Sequence, residues 1–577
     1  MALTLRGVSY RYAGAASPAL SEVDLAVEPG EVLGIVGAND AGKSTLCLVA
    51  SGLAPTVIGG HLAGEVTLDG ESTRNLTPHD AATRCGILFQ NPLTQLSGTA
   101  ATVWEEVAFG PRNLGLTVPA VVDRVEAALD AVAIGSLAER HPEQLSGGQA
   151  QLVALAGVLA LQPTTLVLDE PTSLLDPGGT RLIGDALARL ARASKVALVI
   201  VEHKTDLLAR LADRVVVLRG GRVVASGPSS TLFERPDLAS MGVAAPAAVS
   251  IRRAAERDGV AGRLVGLDLG ALADAGLPSD AEGMEGGAWV HPAVEGADAG
   301  PPAALEADAV EYVYPSGTRA LGDVDLRIEP GQRVALIGQN GSGKSTLVRQ
   351  FNGLLRPTRG EVRVNGRGVG RRHVAELARE VGLAFQNPDR QVFARRVRDE
   401  AAFGPRNVGL HRPELDVAVN DALAALGLSD AADVNPFDLG FSRRKLLSIA
   451  SVLAMRTPIV ILDEPTTGQD ADGDAQIRRA VAALATAGRT VVTISHDMRF
   501  VAELFERVVV LREGSVVVDG PPAHVFDARH WPALASTHLE PPLPSILGAR
   551  LGLGSTPTEA AVIDGLRQDD GRRRLRA

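Results

Sequence analysis

The sequence predicts an α/β protein in which one module is written twice, and three observations predict it. GANDAGKST at Gly37–Thr45 recurs as GQNGSGKST at Gly338–Thr346. Four further words return in the same order: FQNP at Phe89 and Phe385, FGPRN at Phe109 and Phe403, LDEPT around Asp169 and Asp463, and a histidine at His203 and His496. Short, continuous apolar runs precede each glycine-rich turn and alternate with helical patterns, as in a mainly parallel sheet covered on both faces. Five words in fixed order, with spacing that drifts only through short insertions, mean tandem homologous domains rather than a solenoid.

Each element follows in order. Glu31–Val36 and Arg333–Ile337 are predicted strands whose turns run into helices over Lys43–Ser51 and Lys344–Asn352. Leu166–Leu168 and Val460–Leu462 are β-rich runs ending in Asp-Glu. Val196–Val201 and Thr490–Ile494 read as further buried strands, each with a histidine two positions beyond its end. The modules are expected over residues 1–235 and 305–535. Between them, 236–304 reads as an extension with a short helix (Val249–Arg257) and a Gly/Ala/Pro/acidic stretch expected to be a flexible linker over 280–304. Residues 536–577 form a second extension ending in GRRRLRA, read as a solvated terminus or, more sharply, a contact for anionic lipid headgroups.

Composition narrows the function classes. Of 577 residues, 45% are hydrophobic and 22% charged, ample for buried cores. The 62 glycines and 34 prolines stay below low-complexity levels, which excludes wholesale disorder. A net charge of −11 offers no whole-chain footprint for nucleic acid. Lysine is scarce (Lys43, Lys195, Lys204, Lys344 and Lys445), and two of these sit in the glycine-rich words. Cys47 and Cys85 are too few for a disulfide framework and read as small buried hydrophobes. No signal-peptide pattern and no bilayer-spanning apolar run is seen, so the expectation is a cytosolic chain that reaches a membrane through a partner.

The chemistry begins with GxxxxGK[ST] between a strand and a helix, the phosphate-binding loop. Its backbone N–H groups and the helix N-terminus cradle phosphates, the lysine reaches the β/γ oxygens, and the hydroxyl helps hold Mg²⁺. This assigns Gly37, Asn39, Gly42, Lys43, Ser44 and Thr45, and Gly338, Asn340, Gly341, Gly343, Lys344, Ser345 and Thr346, to ATP. Asp169 and Asp463, at strand ends, are placed to hold Mg²⁺; the adjacent Glu170 and Glu464 can orient or deprotonate the attacking water.

LSGGQ at Leu145–Gln149, with Gln90, Asp176 and His203, resembles the element set of an ATP-binding cassette (ABC) ATPase. The resemblance implies two P-loop domains, each with a helical subdomain and a small antiparallel β subdomain, paired head to tail within the chain. ATP would lie between one phosphate loop and the other cassette's Ser146, Gly147, Gly148 and Gln149. It implies further that Gln90, His203, Gln386 and His496 contact the γ-phosphate, its metal or the water. Both glutamines would join Ser44, Ser345, Asp169 and Asp463 at Mg²⁺. Tyr12 and Tyr314 resemble the aromatic that stacks on adenine, the alternative being strand packing. More narrowly, FQNP…EEVAFGPRNLGL and FQNPDRQVF…DEAAFGPRNVGL are similar to the ATPases of energy-coupling factor importers of vitamins and transition-metal ions. In that family two ATPases work with a transmembrane coupling subunit and a substrate-binding membrane subunit, on the cytoplasmic face. The groove for the membrane partner would lie near Glu105, Glu106, Asp399 and Glu400, acids that could pair with its arginines or simply favour a helix start.

The halves are not equal. Gly440, Phe441, Ser442 and Arg443 stand opposite Ser146, Gly147, Gly148 and Gln149, and Asp40 stands opposite Gly341. Phe441 places bulk where bare backbone must approach phosphate, and the serine is displaced. The expectation is one hydrolytic site, built on Lys344, Asp463, Glu464 and His496, and one slower, ATP-retaining site on Lys43, Asp169 and Glu170. The rivals are a tandem-cassette ATPase acting on ribosomes or nucleic acid, disfavoured by the non-basic inter-cassette segment, and the tandem ATPase of another ABC importer.

Overall fold

The computed structural model describes residues 1–265, 267, 269–270 and 302–574, except 174 and 194. The chain divides into two compact units, Met1–Val249 and Ser250–Ala577. Most of the stretch read as a linker, 280–301, lies outside the described residues, as do the side chains of the arginine tail.

In the first unit a six-stranded sheet runs in spatial order Arg222–Pro228, Arg214–Arg219, Val32–Val36, Ala197–Val201, Thr165–Asp169, Cys85–Leu88. All neighbours are parallel except the Arg222–Pro228 edge. The period of two along each strand explains its all-apolar sequence. Leu198 and Ile200 face one core, with helices Val103–Asn113, Val118–Ala131, Gly147–Leu159 and Pro177–Ala193. Ala197, Val199 and Val201 face another, shared with the helix Lys43–Ala50 and a four-stranded antiparallel sheet ordered Leu20–Val27, Leu3–Tyr12, Gly60–Leu68, Glu71–Ser72.

The second unit repeats this plan. Its six-stranded sheet is ordered Val381–Ala384, Ile459–Asp463, Thr490–Ile494, Arg333–Ile337, Arg507–Arg512, Ser515–Gly520, with the last strand antiparallel. Its small sheet is ordered Arg319–Ile328, Leu305–Val313, Arg359–Val364, Arg367–Gly368. Val460 and Leu462 face the helical core; Ile459 and Ile461 face the small sheet. Also within this unit, Asp258 pairs with Arg567 at 2.7 Å and Arg263 with Asp569, so the segment after Ser250 is tied to the C-terminal helix Glu559–Arg574. Arg499 pairs with Glu559 at the start of that helix at 2.8 Å. Among the described residues no helix is long and apolar enough to cross a membrane.

Candidate functional site

In both units the parallel strands deliver the same residues to one edge of the sheet. The loop leaving Val32–Val36 turns through Gly37 (φ 152°) and reaches Gly42 (φ 98°), which caps the helix Lys43–Ala50. A Cβ on Gly37 would stand 2.1 Å from the Leu218 carbonyl oxygen, so only glycine fits there. Gly338 (φ 148°) and Gly343 (φ 100°) repeat the geometry, with a Cβ on Gly338 falling 2.2 Å from the Leu511 oxygen. Asp40, at φ 59°, adopts the left-handed conformation taken by Gly341 at φ 83°, and its side chain is exposed. Lys43 Nζ arches over its own loop to the carbonyls of Gly37 (3.0 Å) and Ala38 (2.8 Å). Lys344 Nζ does the same to Gly338 (2.6 Å) and Gln339 (2.8 Å). A loop ringed by backbone donors, with a buried ammonium folded across it, is an anion cradle.

The acids stand one strand beyond. The Ser44 hydroxyl donates to the Asp169 carboxylate, and that of Ser345 to Asp463. Oδ1 of each aspartate is buried with no hydrogen-bond partner in the protein. Burial pushes Asp169 up to about 6, tempered by the Ser44 bond, and raises Asp463 also. A hydroxyl and an under-satisfied carboxylate side by side are hard oxygen donors, and they fit Mg²⁺.

Glu170 (φ 48°) and Glu464 (φ 51°) both follow their strand in the left-handed region, which is uphill for a residue with a Cβ. The surroundings of the two differ. Gln90 Nε2 donates to Glu170 Oε2 at 2.8 Å, and His203 Nε2 lies 3.0 Å from Oε1. Burial pushes Glu170 up, but the His203 bond and the charges of His203 and Lys43 bring it below the usual glutamate value. Glu464 has His496 Nε2 at 3.1 Å from Oε1 and accepts from the His496 N–H at 3.3 Å. There burial outweighs Lys344 and Lys445 and leaves the carboxyl above its ordinary value. Gln90 thus sits on the glutamate, and what holds Gln386 is its main chain: its carbonyl accepts from Lys445.

The tyrosines lie against the phosphate-loop helices, Tyr12 with its hydroxyl 3.1 Å from Thr45 Oγ1 and Tyr314 3.0 Å from Thr346 Oγ1. Each also packs edge-on against a neighbouring tyrosine, Tyr10 or Tyr312.

Ser146 caps the helix Gly147–Leu159. It accepts from the Gln149 N–H while Gln149 Oε1 accepts from the Ser146 N–H, a capping box that orders the turn. Ser146 and Gly147 are exposed and Gly148 is buried, where a Cβ would meet the Gly179 Cα at 2.9 Å. In the second unit Gly440 takes the same extended cap conformation with no side chain to close it. The Ser442 hydroxyl turns inward and donates to Gln469 Oε1 at 2.8 Å, Gln469 Nε2 returns to the Ser442 carbonyl, and Arg443 pairs with Asp430 at 2.6 Å. Gly468 (φ 73°) lies under the Phe441 ring, with a Cβ position 3.0 Å from Phe441 Cε1. The serine of this loop is therefore committed to its own unit.

Two buried groups, Glu202 and Lys445, were not legible as parts of this site, and two of the acids read at the partner groove turn inward. Glu202, 1% exposed, accepts from Thr172 N–H and hydroxyl and from the His203 and Lys204 N–H groups, fixing the turn that carries His203. Lys445 holds carbonyls of two loops in the second unit, where the repeat has Gln151. Glu106 and Glu400 accept main-chain N–H groups of Ser97 and of Phe393 and Ala394, so these two acids are used internally, while Asp399 stays exposed. Lys445 closes the basic run Arg443–Lys445 in the first turns of its helix, and its difference from Gln151 in the repeat was the available signal.

Fold and site together define a protein with two P-loop nucleotide-binding domains. A family model described as "ABC transporter" matches residues 20–173 and again 321–467. The chain belongs to the ABC transporter family and carries two ATPase cassettes. Relatives named "Putative ABC transporter ATP-binding protein" occur in Methanosarcina mazei (36% identical, covering 94% of this chain and 92% of the relative). Others occur in Caldanaerobacter subterraneus subsp. tengcongensis (35%, 92% and 93%) and in Streptomyces avermitilis (34%, 96% and 99%). Among solved structures, cbiO1 from Clostridium perfringens, described as part of the ABC transporter complex cbiONQ, is 33% identical. It covers 39% of this chain and 91% of its own, with a TM-score of 0.36.

Proposed function

We propose that this chain is the ATP-hydrolysing subunit of an energy-coupling factor type importer for a vitamin or transition-metal ion. It acts peripherally on the cytoplasmic face, with a transmembrane coupling subunit and a substrate-binding membrane subunit as partners. The FQNP and FGPRN words, present in both cassettes, support the importer class. The exposure of Ser146 and Gly147 suits a signature turn that meets nucleotide.

Ser345, Asp463 and Gln386 in the second cassette, and Ser44, Asp169 and Gln90 in the first, would hold Mg²⁺, which would neutralise phosphate charge. Lys344 and the turn Gly338–Gly343 position the triphosphate. Glu464 accepts the proton of the attacking water, and His496, 3.1 Å from its carboxylate, orients that group. Tyr314 and Tyr12 flank the adenine. The observation that carries the unequal-site reading is the second signature turn: Ser442 and Gln469 bond to each other, leaving that turn without a serine free to meet ATP. Losing such a donor costs about 10²–10³ in rate.

Isolation of the tagged chain from detergent-solubilised membranes of its own cells tests the proposal. Co-purification of membrane-spanning proteins is expected, with ATPase activity. Recovery with ribosomes instead would overturn it.

A further inference from the structure

Lys445 lies on the helix Phe441–Ala454, only 1% exposed. Its Nζ donates to three main-chain carbonyls, those of Phe385 at 2.9 Å, Asp463 at 3.0 Å, and Gln386. An ammonium has three N–H donors and no acceptor, so this set saturates it. The carbonyls belong to the exits of two adjacent parallel strands, Val381–Ala384 and Ile459–Asp463, paired Ala384 to Leu462. The lysine therefore ties together the two exits that carry Gln386 and Asp463. Bonds from a charged donor are roughly twice as strong as neutral ones.

The first cassette has Gln151 at this place, also 1% exposed. Its Nε2 donates to the Phe89 carbonyl at 3.3 Å, and its Oε1 is buried with no hydrogen-bond partner. There the Gln90 side chain has swung onto Glu170, at 2.8 Å. The two units share strand order and register, so the difference is local to what reaches the glutamine's backbone.

We propose that Lys445 is a positioning residue for the metal end of the second ATP site. By bridging Phe385, Gln386 and Asp463 it fixes the spacing of Gln386 and Asp463 before nucleotide arrives, and Gln151 gives the first cassette no such brace. The proposal rests on the ATPase reading above and deepens it. Groups that orient metal ligands from behind are commonly worth about 10–100-fold in metal affinity.

The test uses the full chain, MnCl₂ and the non-hydrolysable analogue AMPPNP, with bound Mn²⁺ counted by electron paramagnetic resonance and nucleotide binding followed separately. Wild type should bind two Mn²⁺ per chain. Lys445→Gln should weaken one of them by about tenfold, with AMPPNP affinity in excess Mn²⁺ unchanged, a split that loss of folding would not give. Gln151→Lys, which leaves Lys445 in place, should tighten the other. Unchanged Mn²⁺ affinities in both variants, with wild type binding normally, would overturn the role of Lys445 alone. A wild-type chain that bound neither AMPPNP nor Mn²⁺ would overturn the ATPase reading itself.

Discussion

Replacing Glu464 with glutamine should nearly abolish turnover, and the same change at Glu170 should not. The two residues are 4% and 9% exposed, and glutamine fills the same volume, so neither change opens a cavity. The amide oxygen can still accept from the His496 N–H in one case and from Gln90 in the other. What disappears is a carboxylate that can take a proton. General-base catalysis is worth about 10²–10⁴ in rate, or about 3–5 kcal/mol of barrier. Glu464, whose carboxyl burial has raised, is suited to that exchange, whereas Glu170 is pinned by Gln90 and His203 and held below the usual value. The assay is phosphate release by the full chain with its membrane partners at saturating ATP, with nucleotide binding measured alongside. Glu464→Gln should lose roughly a hundredfold or more. Glu170→Gln should stay within roughly twofold, because a site that retains ATP contributes nothing to the measured transition state. Equal losses from the two variants, with binding intact, would refute the reasoning.

Gly338→Ala should weaken ATP binding and lower the thermal midpoint, because its methyl group would press into the Leu511 carbonyl at 2.2 Å; overpacking of this kind costs about 1–3 kcal/mol. Glu202→Ala strips four donor groups of their acceptor inside the first cassette, so urea unfolding of that cassette should shift by at least about 2 kcal/mol, while the second cassette's transition stays put. Burial holds both thiols well above their ordinary value, Cys85 at about 12, so iodoacetamide at pH 8 should label neither cysteine in the native chain and both in denaturant.

Much of this architecture could be read from the residue string, for reasons that differ by element. Arg333–Ile337 and Thr490–Ile494 appear as predicted because an apolar run flanked by polar residues leaves a strand few choices of end. Leu166–Leu168 and Val460–Leu462 each extend by a residue at both ends, to Thr165–Asp169 and Ile459–Asp463, where ladder pairing with Ala197–Val201 and Thr490–Ile494 takes in the polar Thr165, Asp169 and Asp463 that hydropathy alone does not. The helix read over Val249–Arg257 begins two residues earlier, at Ala247, whose N–H bonds to Asp206, far away in sequence. The phosphate loops were legible because the backbone conformation itself demands glycine. The swing of Gln90 onto Glu170, the Ser442–Gln469 bond and the triple carbonyl grip of Lys445 were not. Each joins segments separated by 18 to 80 positions, and nothing in hydropathy or spacing encodes which way a polar side chain turns once it is buried.

Phe441 and Gly468 fit one another as peg and socket, and that constrains how this chain could become symmetric again. A Cβ on Gly468 would stand 3.0 Å from Phe441 Cε1, so the ring would have to give by a few tenths of an ångström, and φ 73° strains any other residue there. Restoring a side chain at Gly468 therefore meets both a packing and a backbone obstacle. Exchanging Phe441 as well would relieve the crowding but not the backbone strain, so this turn resists a return to the first cassette's pattern.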